Sequence, residues 1–488
     1  MNIREIKSAH FVGIGGINIS AVAKLLLAQG VRVSGSDQAE NEQVRFLRER
    51  GAKVAIGHSA ENVPADAEVL IHTSAAPENN PEREEARRRG IPEMTNFRFL
   101  GEWFNDEKTI LVTGTHGKST TTGMLALMLI EAGFDPNVIL GSKLPQFVDG
   151  NLRLSTKHEV RGTNMFVIEG DEYARHFLEF QPYATLINNI ELDHTDIYPT
   201  LEIYVDAFRE LLDKMKDGGI LVVNIGDERV FGLLRKMQEV LKARRINVVT
   251  FTDDADVEKA ARDAGFSPWK VSHSAADDST EMQLSKDGVT YRFFLRVHGS
   301  HNALDAAGAS LLALQLGAPY EKIAAALDRF TGIWRRFESL GEMNGAKVYS
   351  DYGHHPTAVA ATLSAARELY PDSRLVLCFQ PHHRNRTKNL FQDFVPSFDL
   401  ADALVLCEIY DVAGRDASED ADVSSRQLVD AIKERDEERG VERLVEFAAD
   451  PESSIRRVKD LAKPGDVVII MGAGDIDDAI RAVMSSRT

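Results

Sequence analysis

Cysteine is nearly absent: the 488 residues include two, Cys378 and Cys407. Both lie in apolar runs that read as strands, so the expectation is two buried free thiols, neither a disulfide nor a metal pair. Such usage fits a reducing cytoplasm. Basic charge is in deficit, with 57 Lys and Arg against 75 Asp and Glu for a net charge of −18. A nucleic-acid partner, which needs a basic footprint, is not expected. An anionic substrate would need a locally basic pocket. No apolar run reaches the length of a membrane span, so no membrane partner is expected. The opening Met1-Asn2-Ile3-Arg4-Glu5 carries no apolar signal region. The length exceeds one hydrophobic core and predicts two to four domains.

Two glycine patterns each lack one glycine. The first, Gly13-Ile14-Gly15-Gly16-Ile17-Asn18, follows an apolar strand and opens a helix. Asn18 stands where a dinucleotide fingerprint has its third glycine, and Asp37 closes the next strand. A Rossmann-like unit for a phosphate-bearing ligand is expected, with Gly15, Gly16, Ile17 and Asp37 at the pocket and Ser74 beside them on the loop after strand 68–73. NAD is not established, and an NAD-dependent oxidoreductase stays open as a lower-ranked reading. The charge run 82–89 reads as a solvated helix face.

The second pattern carries more. Thr109-Ile110-Leu111-Val112 reads as a buried strand and Met124 to Ile130 as a buried helix. Between them runs Gly114-Thr115-His116-Gly117-Lys118-Ser119-Thr120. Val112 occupies the place of the first glycine of a full phosphate loop, so this is a shortened one. Backbone N–H groups and the helix end face an anion, Lys118 adds a point charge, and the Ser119 hydroxyl suits Mg²⁺. An ordinary turn is the bland alternative, disfavoured by the strand–loop–helix order.

Two further strands end in acid: Asn164 to Ile168 runs into Glu169-Gly170-Asp171-Glu172, and Ala184 to Asn188 runs into Glu191-Leu192-Asp193-His194-Thr195-Asp196. Carboxylate, imidazole and hydroxyl at strand ends beside a phosphate loop predict a Mg²⁺ site. Residues 282–284 and 289–293, separated by Lys286-Asp287-Gly288, predict a hairpin added to a parallel sheet. A third alternating unit ends its strands in Asp351-Tyr352-Gly353-His354-His355-Pro356 and Gln380-Pro381-His382-His383-Arg384-Asn385-Arg386. The acidic stretch 416–422 reads as a solvated loop.

Taken together and in order, the phosphate loop, Glu169-Gly-Asp-Glu, Asp193-His194-Thr-Asp196, His301-Asn302, Arg335-Arg336-Phe337-Glu338 and Asp351-Tyr-Gly-His-His-Pro356 resemble the Mur ligase family over nearly the whole chain. The resemblance implies an α/β enzyme of three domains. These are a Rossmann-like UDP-sugar domain (1–106), a central parallel-sheet ATPase domain of phosphate-loop type with an added antiparallel hairpin (107–330), and a Rossmann-like amino-acid domain (331–488). Within the family, His10-Phe11-Val12-Gly13-Ile14-Gly15-Gly16, Ser34-Gly35-Ser36-Asp37 and Phe379-Gln380-Pro381-His382 are most similar to members that join L-alanine to UDP-N-acetylmuramate. The implied reaction is ATP-dependent and passes through an acyl phosphate. Carried over by motif, Ser36 joins the sugar-binding set. Lys118 binds phosphate, Ser119 one Mg²⁺, and Glu169 and His194 a second metal. Asn302 lies near adenine, Arg336 at the γ-phosphate and Asp351 at the ribose or the hinge, while His354 and Arg386 orient the amino acid or the intermediate. Asp305 stands in place of a family asparagine at adenine; ionised, it accepts a hydrogen bond but cannot donate one. Tyr173 is more similar to the ligases that add a preformed tripeptide.

Overall fold

The computed structural model describes residues 2–156, 165–276, 279–411 and 422–485. Strands and helices alternate along each third of the chain and build three separate sheets. The first has β1 (Ser8–Val12), β2 (Arg32–Asp37), β3 (Lys53–Ile56), β4 (Val69–His72) and β5 (Glu93–Thr95), all parallel in the order β3-β2-β1-β4-β5. All five residues of β1 are buried, which is why it reads as an unbroken apolar run. The chain leaves β1 toward β2 on one side and returns to β4 on the other, so the loop after Val12 sits at the switch point of the sheet. Helix Pro81–Arg89 forms as expected, but its face is not wholly solvated. Glu82 is 0 % exposed because four donors from its own unit enclose it.

The central sheet contains β6 (Lys108–Thr113), β7 (Asn137–Ile139), β8 (Leu152–Arg153), β9 (Met165–Glu169), β10 (Ala184–Ile187), β11 (Ile220–Asn224), β12 (Asn247–Thr252), β13 (Trp269–Ala276), β14 (Ser279–Lys286) and β15 (Val289–Leu295). Its order is β15-β14-β13-β12-β11-β10-β6-β9-β7-β8. The two-residue turn between β14 and β15 places Asp287 and Gly288 at φ 49° and 82°, the left-handed pair a hairpin of this type requires. The antiparallel addition is larger than the expected hairpin, since β13 pairs parallel to β12 and antiparallel to β14. For function the important neighbourhood is β9-β6-β10, in the registers Val112↔Glu169 and Thr113↔Ile187. These registers put the tips of three adjacent strands level with one another.

The third sheet holds β16 (Glu338–Met343), β17 (Ala346–Asp351), β18 (Leu375–Phe379), β19 (Ala403–Cys407), β20 (Leu444–Ala448) and β21 (Val467–Met471) in the order β16-β17-β21-β18-β19-β20, with β16 antiparallel. Cys378 and Cys407 are buried and free on the neighbouring strands β18 and β19. Of the acidic stretch 416–422 only Asp422 lies within the described residues, paired with Lys388 at 2.9 Å. No described helix is long and apolar enough to cross a membrane.

One apolar cluster runs from the first sheet into the central one. At its middle the ring of Phe104, from helix Asn96–Phe104, stacks on Phe166 of β9 with centroids 3.8 Å apart, and Phe180 leans on the same ring. Phe166 is 0 % exposed. Phe166→Ala is therefore expected to cost about 3–5 kcal/mol in urea unfolding of the first transition. A loss under about 1 kcal/mol would show that this stack is not part of the shared core.

Candidate active site

Glycine lets the chain turn sharply at the tip of β6. Gly117 sits at φ 79°, and a Cβ there would collide with the Asp305 carboxyl and the Asn188 amide. Helix Lys118–Glu131 starts at the next residue and aims its first N–H groups into the loop. The Lys118 ammonium folds back over the loop. It donates to Gly114 O (2.7 Å), Thr115 O (3.1 Å) and Glu172 Oε1 (3.0 Å). Burial works against its charge, but the Glu172 and Glu169 carboxylates outweigh that and raise its pKa. Ser119 Oγ donates to Glu169 Oε1 (3.0 Å), whose other oxygen accepts the Gly141 N–H (2.8 Å). Burial pushes the Glu169 carboxyl up against the opposing pull of Lys118 and these donors.

The tip of β10 supplies the other wall. Asn189 Oδ1 accepts the His116 N–H (2.8 Å), and Thr115 Oγ1 bridges the Glu191 backbone, accepting from its N–H (2.8 Å) and donating to its carbonyl (2.8 Å). His194 stands at φ 52°, with Nε2 3.4 Å from Glu172 Oε1 and 3.8 Å from Asp193 Oδ2. Burial lowers its pKa, and Asp193 and Glu172 more than reverse this. Among the described residues its buried Nδ1 has no hydrogen-bond partner. His194 thus adjoins Glu172 more closely than the sequence reading implied, which coupled it to Glu169. Arg386 comes from the third unit on helix Arg384–Asn389. Its Nε donates to Asp193 Oδ1 (2.9 Å), and its guanidinium also reaches His382 O (3.2 Å). That guanidinium is engaged with the Asp193 carboxylate across the two units.

A cavity of about 480 Å³ opens between the central and third units. Thr115, His116, Gly117 and Thr120 line one side, Asn302 and Asp305 the floor, and Arg336, Asp351 and His354 the far side. Asn302 Nδ2 donates to His298 O (2.6 Å), which anchors the start of helix Ser300–Gln315. Asp351 Oδ2 accepts the Phe337 N–H (2.8 Å) and Oδ1 the Gly353 N–H (2.7 Å). Arg335 and Phe337 both have left-handed φ, so this carboxylate holds a strained turn between the central and third units. Arg336 pairs with no carboxylate among the described residues. His354 Nδ1 lies 2.9 Å from Tyr352 O, and burial drives its pKa well below the usual range.

The first glycine loop is arranged differently. Asp37 Oδ2 accepts the Gly15 N–H (2.8 Å) and Gly16 N–H bonds to Gly13 O (3.2 Å), so the donors expected to cradle a phosphate are taken by the chain itself. Helix Ile17–Ala28 begins at Ile17. Ser36 is 0 % exposed, its hydroxyl 2.6 Å from Glu82 Oε2 and 2.8 Å from His58 Nδ1, so its side chain points into the unit. Ser74 is exposed, 2.5 Å from His176 Nε2. His176 Nδ1 is in turn 3.2 Å from Asp171 Oδ2, and this chain of contacts joins the first unit to the β9 tip.

Sequence reasoning passed over Glu172, Asn188, Asn189, Glu191 and His355 as site residues. Glu172 and Glu191 belong to acidic strand ends that had been noticed. What was missing was the register that sets both beside Lys118 and His116.

Asp305 corrects the expectation of an ionised side chain. Burial pushes its carboxyl up to about 8, so at neutral pH it keeps its proton and can donate. An acid whose pKa is raised on folding stabilises the fold below its unfolded value, and that contribution is lost as pH rises through about 8. Asp305→Asn is expected to raise Tm more at pH 8.5 than at pH 5. Equal shifts at both pH values would show that Asp305 ionises normally.

Residues 8–108 fit the model described as Mur ligase family, catalytic domain; residues 112–313 fit the Mur ligase middle domain; residues 335–474 fit the Mur ligase, glutamate ligase domain. The UDP-N-acetylmuramate–L-alanine ligase of Aquifex aeolicus is 35% identical over 475 residues, 97% of this chain and 96% of that one. The ligase of the same name from Solidesulfovibrio magneticus is 37% identical over 474 residues, 97% and 96% of the two chains. The crystal structure of UDP-N-acetylmuramate-alanine ligase MurC from Thermotoga maritima superposes with a TM-score of 0.78 at 27% identity, covering 98% of this chain and 99% of that one. A murein peptide ligase from Psychrobacter arcticus shares the fold at a TM-score of 0.70 and 23% identity, covering 98% of each chain. With three family models matched in order along the chain and relatives 35–37% identical over nearly its whole length, the chain belongs to the Mur ligase family.

Proposed function

We propose that this protein is an ATP-dependent ligase that joins L-alanine to the carboxylate of UDP-N-acetylmuramate, an early step in making peptidoglycan precursors in the cytoplasm. The observation that carries the reading is the convergence of Lys118 with Glu172, Ser119 with Glu169 and His194 with Glu172 directly behind the phosphate loop that lines the cavity, with Arg336 facing that loop across the cavity. In this reading residues 1–106 hold the UDP-sugar, 107–330 ATP, and 331–488 the amino acid. The acceptor carboxylate takes the γ-phosphoryl group of ATP, ADP leaves, and the amine of alanine displaces phosphate as the amide forms.

The residues fit Mg²⁺. Ser119 Oγ and Glu169 Oε1 are hard oxygen donors 3.0 Å apart beside the phosphate loop. The buried Nδ1 of half-buried His194, without a partner among the described residues, is the orphaned atom a second ion would satisfy. When bound there, Mg²⁺ supplies the positive charge that lets two anions approach. The chain's own groups do the rest. Lys118, steadied by Glu172, binds phosphate oxygens at the loop. Arg336 balances charge at the transferred group, and Asn302 with Asp305 meets the base. Asp351 keeps the hinge in register, and His354 with Arg386 borders the amine's approach. Gly15, Gly16, Ile17, Asp37 and Ser74 border the sugar nucleotide.

A second reading makes a preformed peptide the nucleophile. It rests on Tyr173, whose ring meets His194 edge-on with centroids 5.0 Å apart. ADP release should require UDP-N-acetylmuramate and rise with L-alanine above other amino acids or the tripeptide. Release driven best by the tripeptide would favour the second reading. Lys118→Ala is expected to lower turnover by at least about 100-fold with the fold intact. Near-parental turnover in that variant would overturn the assignment. Glu169→Ala should raise the Mg²⁺ concentration needed for half-maximal rate, and an unchanged Mg²⁺ titration would remove Glu169 from the metal site.

A further inference from the structure

We propose that His116, Glu191 and His355 form a site for a borderline transition-metal cation of the Zn²⁺ type, which clips the phosphate loop to the third unit. One ligand atom from each of the three lies within 4.8 Å of the other two. His116 Nε2 is 2.8 Å from Glu191 Oε2, and His355 Nδ1 is 3.9 Å from that same oxygen. A tetrahedral ion with bonds of about 2.0–2.2 Å separates its ligands by roughly 3.3 Å, so side-chain shifts of about 1 Å or less complete the shell. Two imidazoles and a carboxylate are the donor set of an open zinc centre. They differ in kind from the hydroxyl–carboxylate oxygen pair of Ser119 and Glu169, which suits Mg²⁺.

Three further features point to an ion here. His355 is 3 % exposed; among the described residues its Nε2 has no hydrogen-bond partner, and its Nδ1, the nitrogen nearer Glu191, accepts the Thr357 N–H at 3.3 Å, a long bond that ligation there would displace. Glu191 is aimed from behind, since Thr357 Oγ1 donates to its Oε1 at 2.7 Å, the outer contact that fixes a metal-binding carboxylate. The protonation states are those of ligands. Burial pushes His355 down to about 4, leaving a neutral ring at pH 7. Burial would raise the Glu191 carboxyl, but His116 and His355 outweigh it and hold it at about 2. His116 and His355 also line the cavity, so a fourth coordination position faces space for water or ligand. His116 belongs to the phosphate loop, and His355 caps the helix Pro356–Leu369 of the third unit. An ion at this point therefore adds a link between two units that Arg386–Asp193 and Thr357–Glu191 already join.

The test uses the full chain, stripped of metal with a chelator and titrated with Zn²⁺ alone. Calorimetry should show one saturable equivalent, with a matching rise in Tm that the chelator reverses and that millimolar Mg²⁺ does not reproduce. X-ray absorption should show two imidazoles and no sulfur. His355→Ala and Glu191→Gln should each weaken binding by at least about 10-fold. Thr357→Val, which leaves all three ligands in place, should weaken it less but measurably, and this keeps the test decisive if a ligand variant folds poorly. Unchanged Zn²⁺ affinity in all three variants, a spectrum without two imidazoles, or no saturable binding would overturn the proposal.

Discussion

A buried ammonium needs a counter-charge, and the arrangement of this molecule follows from supplying one to Lys118. Its side chain is 15% exposed and that of Glu172 1%. Removing one partner of such a pair costs about 3–5 kcal/mol, because the survivor is left charged and dry. Glu172 must therefore arrive within 3 Å of a loop 54 positions earlier in the chain. A parallel sheet achieves this by hydrogen-bonding β9 beside β6 so that their tips end level. β10 repeats the device on the other side and brings Asn188, Asn189 and His194. Tyr198 completes the arrangement by donating its hydroxyl to the Glu172 carbonyl from below.

The same loop region is wired to the other two units through one short segment after β7. Gly141 N–H holds Glu169, while Ser142 Oγ donates to Trp334 O (3.1 Å) and Lys143 O accepts the Trp334 N–H (3.0 Å). Lys143 Nζ lies 4.4 Å from the Trp334 ring centre and 2.5 Å from Glu42 of the first unit. Asn151 then accepts from buried Lys24 (2.6 Å) and donates to Ile17 O at the glycine loop. Burial lowers the Lys24 pKa to about 8, so this contact carries a weakened charge near neutrality. These eleven residues, 141–151, thus touch the first glycine loop, the Glu169 carboxylate and the Trp334 connection, a physical route by which one unit's position bears on another's.

Much of this was legible without coordinates. Continuous apolar runs marked β1, β6, β10 and β21 because buried parallel strands need no polar face. Glycine, lysine and serine in sequence marked the loop because few other residues fit its turn. The strands missed were β3, β5, β7, β8, β13, β16 and β20: five of them, β3, β5, β8, β16 and β20, lie at sheet edges, β7 has three residues, and β13 is largely exposed along residues 269–275, so none shows a long apolar run. Side-chain partners were least legible. Nothing in Ser36 announces that Glu82 will be buried beneath it, and a charge run normally lies in water. Nor does local sequence show that Asp37 will take the Gly15 N–H. Each partner is set by a register between distant strands, and the residue pattern fixes which face is buried without naming the neighbour.

Charge at the cavity is scarcer than the residue types imply. Burial holds His301 and His355 near 4 and His354 well below its usual range, so three histidines serve there as neutral hydrogen-bonding rings. Arg386 is neutralised by Asp193 and Lys118 by Glu172. Arg336 alone among these cations brings charge not already matched by a carboxylate within the described residues. A triphosphate and a carboxylate meeting in this space carry several negative charges, more than one guanidinium balances, and in a partly dry cavity the mismatch is costly. The oxygen pair of Ser119 and Glu169 therefore matters more than its size suggests. Under the ligase reading it is where the missing positive charge has to be brought in, and the raised Glu169 pKa is the strain of keeping that carboxylate buried for the purpose.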